Sequence, residues 1–128
     1  MEDVAGGPPE TQACRVVVGG LPGAKLRRVT VYIQSNLERR LRLTELALVA
    51  HMSPYHFARL FKIATGESPH RFVVRQRIAA ATALLTASTS PIGSIARTTG
   101  FRTASQFATT FRRVTGLTPS AFRAGRRR

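Results

Sequence analysis

Three side chains at helical spacing have the chemistry needed to recognise a polyanion. Tyr55, Arg59 and Lys62 are separated by four and three residues, so they share one face if the segment is helical. A guanidinium can donate two parallel hydrogen bonds to paired acceptors such as O6 and N7 of guanine, and an ammonium binds phosphate as a point charge. The pattern indicates recognition chemistry, carried by an aromatic ring and two different cations.

The opposite face of the same segment is apolar, which predicts an amphipathic helix. Ser53 followed by Pro54 predicts its N-terminus, and Gly66 stands where a left-handed C-cap belongs. The apolar positions are Phe57, Leu60, Phe61 and Ala64.

A short apolar helix is predicted just upstream, over residues 43–50, followed by a tight break at His51 and Met52. A short helix, a sharp turn and a second amphipathic helix with a polar outer face are typical of a helix-turn-helix.

The chain contains this unit twice. Residues 57–72 and 107–122 both read F-A-x-x-F-basic-x-x-T-G-x-(S/T)-P-x-x-F, and such a long pattern at a fixed offset indicates a structural repeat. The second unit has a turn at Gly100-Phe101 and a predicted cap at Thr103. The first helices are offset by 49 residues and the second helices by 50, so we expect one extra residue in the second turn, near Arg102.

The charge of the chain favours a polyanionic partner. The formal net charge is +14 and the pI is about 11.9. No acidic residue follows Glu67, whereas eleven arginines do. Such a surface attracts nucleic acid, where each neutralised phosphate releases counterions. A membrane surface is disfavoured because the repeat already uses the apolar faces, and a basic face without any partner remains the alternative.

Residues for catalysis or for cofactor binding are sparse. None of His51, His56 and His70 is paired at helical spacing with a carboxylate of the same predicted helix, and no glycine-rich phosphate loop is present. Cys14 is the single cysteine, so neither an internal disulfide nor a zinc cluster is expected. We predict that the chain is not an enzyme and has no cofactor or metal, and no small-molecule ligand is evident from its sequence. No membrane span or secretory signal is expected, and the chain is expected to be cytoplasmic and nucleoid-associated.

The predicted architecture is all-α, with two tandem helix-turn-helix lobes joined by a long central helix. Glycine- and proline-rich residues 1–24 are expected to form a flexible tail or linker. A first helix is predicted from Leu26 to about Arg40. The remaining segments are a first lobe over 26–67, a connecting helix over 69–87, a second lobe over 90–124 and a basic tail over 125–128.

From about Leu26 to Arg123 the sequence resembles the DNA-binding domain of the arabinose-regulator (AraC/XylS) family of bacterial transcription factors. The resemblance rests on several motifs, among them Tyr32-Ile33-x-x-Asn36-Leu37, Ser53-Pro54-x-His56-Phe57-x-Arg59-x-Phe61-Lys62-x-x-Thr65-Gly66-x-Ser68-Pro69, Ile95-Ala96-x-x-x-Gly100-Phe101 and Gln106-Phe107-x-x-x-Phe111-Arg112-Arg113. It implies about seven helices and two recognition helices that enter successive major-groove segments roughly 34 Å apart. It also implies double-stranded DNA as partner, and RNA polymerase if the protein activates transcription.

Carried over position by position, the resemblance implies base contacts in both lobes. These residues are Tyr55, Ala58, Arg59, Ala104, Ser105, Gln106 and Thr109. Contacts to the phosphate backbone are expected from Ser53, His56, Lys62, Arg102, Arg112 and Arg113. Arg59 is the expected main base reader, with a phosphate contact as its alternative role, and Gln106 is a candidate adenine reader.

Three departures from the family pattern affect local structure. His51 stands where the family has glycine, which predicts a strained or differently shaped turn. Arg42 replaces a small capping residue. Pro91 and Ser94 break the capping box of the second scaffold helix, where Ser90 with Pro91 is the expected alternative cap. Two further interpretations stay open: a C-terminal fragment of a longer effector-responsive regulator, and a protein that coats nucleic acid without sequence preference.

Overall fold

The computed structural model describes the backbone of residues 20–126 and the side chains up to Gly125. This part of the chain forms helices and no strand, which confirms the predicted all-α class with two helix-turn-helix units and a long central helix. The helices are α1 (Gly23–Ser35), α2 (Leu43–Val49), α3 (Pro54–Thr65), α4 (Pro69–Ala87), α5 (Ile92–Thr98), α6 (Ala104–Thr115) and α7 (Pro119–Arg126).

The described residues divide into two units. The first comprises residues 20–32 and 42–70, and the second comprises residues 33–41 and 71–126. Helix α4 therefore begins in the first unit and lies mostly in the second. The helix-turn-helix of the first unit is α2–α3, and that of the second is α5–α6.

The first unit packs α2 against α3. Phe57 and Phe61 are fully buried with ring centroids 5.5 Å apart, and Leu46 of α2 is buried as well. The backbone N–H of Leu21 donates to the carbonyl oxygen of Leu60 at 3.3 Å, and the Leu21 side chain is buried. Ordered packing therefore begins before the predicted domain start, because Leu21 contributes apolar surface to this unit. Residues 1–19 of the predicted tail lie outside the described residues.

The second unit is built around a row of phenylalanines. Successive ring centroids lie 5.2 Å apart for Phe101–Phe107, 5.5 Å for Phe107–Phe111 and 5.5 Å for Phe111–Phe122. Tilted and edge-on pairs at this spacing add to the free energy of burial. The aliphatic part of the same core comes from α4 and α5, through Ile78, Ala81, Leu85, Ile95 and Ala96. The phenylalanines that define the sequence repeat are thus core residues.

The two recognition helices begin in the same way. The Ser53 hydroxyl accepts a hydrogen bond from the backbone N–H of His56 at 3.3 Å, and the Thr103 hydroxyl accepts from that of Gln106 at 2.9 Å. Both predicted N-caps are therefore confirmed.

The two helices also end in the same way. Gly66 and Gly116 are left-handed C-caps, with φ of 86° and 88°. The hydroxyls of Thr65 and Thr115 donate to the carbonyl four residues earlier and accept the amide two residues later. The repeated Thr-Gly pair thus closes each helix.

The turns of the two units differ by one residue, as predicted. The left-handed positions are His51 and Gly100, with φ of 58° and 97°. The next residue in each turn donates its N–H back to α2 or α5 at 2.9 Å, Met52 to Ala47 and Phe101 to Ala96. Ser53 follows Met52 directly, whereas Arg102 separates Phe101 from Thr103, so Arg102 is the extra residue.

Two sequence-based expectations about helix ends are wrong. Helix α1 ends at Ser35 instead of near Arg40, because the chain then forms successive turns in which Asn36 bonds to Ile33 and Arg39 bonds to Asn36. Ser90 does not cap α5, since Pro91 occupies the N-cap position and no side chain caps the helix. Arg42, at the N-cap of α2, likewise makes no side-chain cap, because a guanidinium has no acceptor for a backbone N–H.

Two arginines of the second unit hold loop backbone. Arg77 of α4 donates to the carbonyl oxygens of Leu37 and Arg39 at 3.2 and 3.0 Å. Arg123 of α7 donates to those of Leu85 and Ser88 at 3.3 and 3.2 Å. Burial lowers the pKa of Arg77, and the two carbonyl acceptors offset part of that desolvation. Each guanidinium binds backbone carbonyl groups at or just after the end of a helix, so both side chains stabilise the folded chain.

Replacing His51 by glycine is expected to stabilise the protein by about 0.5–1 kcal/mol. The left-handed conformation costs a residue with a Cβ atom roughly 1–2 kcal/mol, which glycine avoids. Glycine also has more conformational freedom in the unfolded chain, and this reduces the net stabilisation. Urea unfolding of His51→Gly and His51→Ala would measure it, with stabilisation expected in the glycine variant alone. Equal stabilities of the two variants would contradict the backbone strain assigned to this turn.

Among the described residues, no helix combines the length and apolar character needed to cross a membrane.

Candidate nucleic-acid interface

The outward face of α3 carries the predicted recognition residues of the first unit. Tyr55 is 80% exposed, and Arg59 and Lys62 are exposed one and two turns further along the helix. Ala58 is half-buried between them. Because Phe57 and Phe61 anchor the other side of α3 in the core, these three side chains are directed away from the unit.

The first turn of α3 adds polar groups to this face. The Ser53 oxygen is engaged as the N-cap acceptor, which leaves its hydroxyl hydrogen available to donate. His56 is exposed in the same turn. These positions suit donors to phosphate oxygens, which helix N-termini favour.

The outward face of α6 in the second unit is made of smaller groups. Ala104, Ser105 and Thr109 are exposed, and Ala108 is half-buried. Arg112 and Arg113 are exposed in the last turn of the helix. No long cation stands in the middle of α6 where Arg59 stands in α3, so the two helices offer different chemistry at equivalent places.

Gln106 is exposed but its side chain is tied to the preceding turn. Its carbonyl oxygen Oε1 accepts a hydrogen bond from the backbone N–H of Arg102 at 3.0 Å. This hydrogen bond fixes the orientation of the Gln106 carboxamide. Gln106 is the one long uncharged polar side chain in the first turn of α6. The spacing Thr103-x-x-Gln106 is that of a capping box, so residue type gives a signal for a side-chain bond back to this turn. The extra residue gives a second signal, because its N–H needs a partner.

Among the described residues, basic side chains greatly outnumber acidic ones. The carboxylate of Glu45 accepts a hydrogen bond from the Tyr32 hydroxyl, so one of the few acids is used within the first unit. Arg77 and Arg123 are used within the second unit. The outward cations of α3 and α6 have no acidic residue within their helices, which leaves their positive charge uncompensated there.

In the described part of the chain, no three His, Cys, Asp or Glu residues lie close enough together to hold a metal ion. His51, His56 and His70 are all exposed. The sequence predicts no catalytic or cofactor-binding residue at this interface.

The sequence profile of a helix-turn-helix domain family matches residues 46–125. These residues contain the second half of α2 and all of α3, α4, α5 and α6. The chain belongs to the AraC-type helix-turn-helix family.

Curated relatives in this family are longer than the chain. The regulatory protein PocR of Salmonella typhimurium (strain LT2) is 37% identical over 117 residues, which are 91% of this chain and 39% of PocR. The bifunctional transcriptional activator and DNA repair enzyme AdaA of Bacillus subtilis (strain 168) is 38% identical over 95 residues, 74% of this chain and 45% of AdaA. The chain thus spans about two fifths of the length of these relatives.

Solved structures of AraC-type domains share the fold. The DNA-binding domain of the global transcriptional factor AdpA, in complex with a target DNA, is 32% identical with a TM-score of 0.76, covering 80% of this chain and 93% of that domain. An AraC-type transcriptional regulator from Chromobacterium violaceum is 28% identical with a TM-score of 0.76, covering 80% and 92%.

Proposed function

We propose that the chain is a sequence-specific DNA-binding transcriptional regulator that inserts α3 and α6 into successive major-groove segments. The observation that supports this most is the repeated, capped recognition helix with an exposed polar first turn, in a member of the AraC-type family. The target DNA bound by the related AdpA domain supports double-stranded DNA as the partner. A regulator of this kind that activates transcription would have RNA polymerase as its protein partner.

In the first segment, Arg59 is the main base reader. Its exposed guanidinium extends from the middle of α3, one turn beyond Tyr55, and can bond O6 and N7 of guanine with two donors. Tyr55 supplies a flat surface for a thymine methyl group or a sugar, and Ala58 allows close approach to the base edges. Ser53, His56 and Lys62 contact phosphates and set the register of α3.

In the second segment, direct reading is weaker. Ala104, Ser105 and Thr109 present short side chains, so α6 can approach the bases closely but reaches few of their polar atoms. Arg102, Arg112 and Arg113 supply phosphate contacts at the two ends of the helix. Part of the specificity there comes from DNA shape and deformability, which are read without base contacts.

Replacing Arg112 by alanine is expected to weaken binding to all duplexes by a similar factor. The exposed guanidinium in the last turn of α6 releases counterions when it neutralises a phosphate, so the slope of log K against log salt should become shallower by about one unit. Fluorescence anisotropy titrations at several salt concentrations would measure both effects. A changed base preference in this variant would instead place Arg112 at a base edge.

Competition between a selected duplex and random duplex of the same length tests the proposed function. A sequence-specific regulator binds its own site about a thousandfold or more tightly than random sequence. A protein that coats nucleic acid through its charge alone gives a ratio near one. The comparison is made at a fixed salt concentration, because the non-specific term varies steeply with salt.

A further inference from the structure

The extra residue in the second turn and the side chain of Gln106 form one structural feature. The first turn has no counterpart of Arg102, and its equivalent of Gln106 is His56. Insertion of Arg102 adds one backbone N–H outside the helix, and Gln106 Oε1 accepts it at 3.0 Å. The main chain of Gln106 is held as well, since its own N–H donates to the Thr103 hydroxyl at 2.9 Å.

The hydrogen bond from the Arg102 N–H fixes the orientation of the carboxamide. A backbone N–H can only donate, so the side-chain atom that faces Arg102 must be the carbonyl oxygen. The Nε2 amino group is then the part of this exposed side chain that remains for a partner, and it carries two donors. Bidentate recognition of adenine requires the oxygen and the amino group to face the base edge together.

We propose that Gln106 reads guanine, not adenine, in the second groove segment, through its amino group alone. Guanine presents two adjacent acceptors, N7 and O6, in the major groove, which match the two hydrogens of one amino group. Adenine presents an acceptor beside a donor, so reading it would require the oxygen that already holds the Arg102 N–H to accept a second hydrogen bond at the same time. Guanine requires nothing further of that oxygen. The proposal rests on the proposed function and assigns a base to one position of the site.

The substitution Gln106→Glu separates the two parts of this side chain. A carboxylate of nearly the same shape still accepts the Arg102 N–H, but it has no amino group to donate. Its negative charge lowers the affinity for every duplex, so the measurement is the ratio of affinities for two duplexes that differ in one base pair. Thermal unfolding of the variant checks that the second unit is folded.

Binding-site selection with the wild-type chain and with Gln106→Glu identifies the base pair whose preference depends on Gln106. We expect a G·C pair at this position. The wild type should bind it on the order of tenfold more tightly than A·T, whereas the variant should bind the two pairs about equally. Substitution of 7-deazaguanine at this position removes the N7 acceptor and should lower wild-type affinity without affecting the variant. An A·T pair at the Gln106-dependent position, or no dependent position at all, would overturn the proposal.

The base preference that depends on Arg59 is the internal control. It is measured on the same duplexes and belongs to the first unit. If it persists while no Gln106-dependent position is found, the assignment of Gln106 is wrong and the proposed function stands. If both preferences are absent, the proposed function itself fails.

Discussion

Replacing Gly100 by alanine is expected to destabilise the protein by about 2–5 kcal/mol. Gly100 has φ of 97°, and a Cβ atom there would lie 2.1 Å from the carbonyl oxygen of Leu37 and 2.5 Å from Nε of Arg77. The backbone strain costs roughly 1–2 kcal/mol, and forcing atoms into a packed site adds about 1–3 kcal/mol. The variant would also disturb the hydrogen bond from Arg77 to Leu37. Chemical denaturation of the purified variant would measure the loss.

Gly116→Ala is the matched control within the same unit. Gly116 has nearly the same backbone conformation, with φ of 88°, but nothing lies within 4 Å of the position of an added Cβ atom. Only the conformational cost of about 1 kcal/mol is expected there. Similar losses for the two variants would contradict the close approach of Gly100 to Leu37 and Arg77.

Replacing Arg59 by alanine is expected to weaken binding to the best site by about 1–3 kcal/mol and to relax the preference at one base pair. The physical reason is the loss of two parallel donors from an exposed guanidinium that no acid on α3 neutralises. Affinities for the selected duplex and for its three variants at the dependent base pair would be compared between the two proteins.

Arg59→Lys distinguishes base reading from charge. Lysine keeps the positive charge but donates from a single point, so a base-reading role predicts that most of the preference is lost while non-specific affinity is kept. An equal loss on all sequences in Arg59→Ala, with full recovery in Arg59→Lys, would assign Arg59 to a phosphate.

Much of the fold follows from the repeat in the sequence. A phenylalanine pair at helical spacing can only be the buried face of an amphipathic helix when the other face is polar and charged, and Phe57, Phe61, Phe107 and Phe111 are all fully buried. Capping residues act on atoms within four positions of themselves, so Ser53, Thr103 and the two Thr-Gly pairs could be predicted from local sequence alone. The outward positions of α3 then follow from helix geometry.

The features that escaped prediction depend on partners far apart in the sequence. The carbonyl groups bound by Arg77 lie 38 and 40 residues away, and those bound by Arg123 lie 35 and 38 residues away. From an arginine-rich composition one expects arginine side chains to bind an external polyanion. Arg77 and Arg123 instead bind backbone carbonyl groups of the protein itself. The segment that follows α1 shows the same kind of partner, since Arg77 binds the carbonyl oxygens of Leu37 and Arg39 there.

The predicted base contacts follow neither from local sequence nor from the folded chain alone, because they depend on the position of DNA against α3 and α6. The structure supplies exposure and the orientation of Gln106, and the base assignments stay predictions. Gln106 illustrates the limit of residue type as a guide. A free glutamine matches adenine, whereas one whose oxygen already accepts a hydrogen bond within the protein keeps both amino donors unused but only one acceptor site.

The extent of the selected binding site tests the central claim most directly. Selection of bound sequences from random duplex DNA should return two conserved segments whose centres are about 10–10.5 base pairs apart, one turn of B-form DNA. The segment that depends on Arg59 should carry more information than the segment that depends on Gln106. A motif confined to one segment, two segments at another spacing, or no enriched sequence would contradict the insertion of two recognition helices into successive major-groove segments.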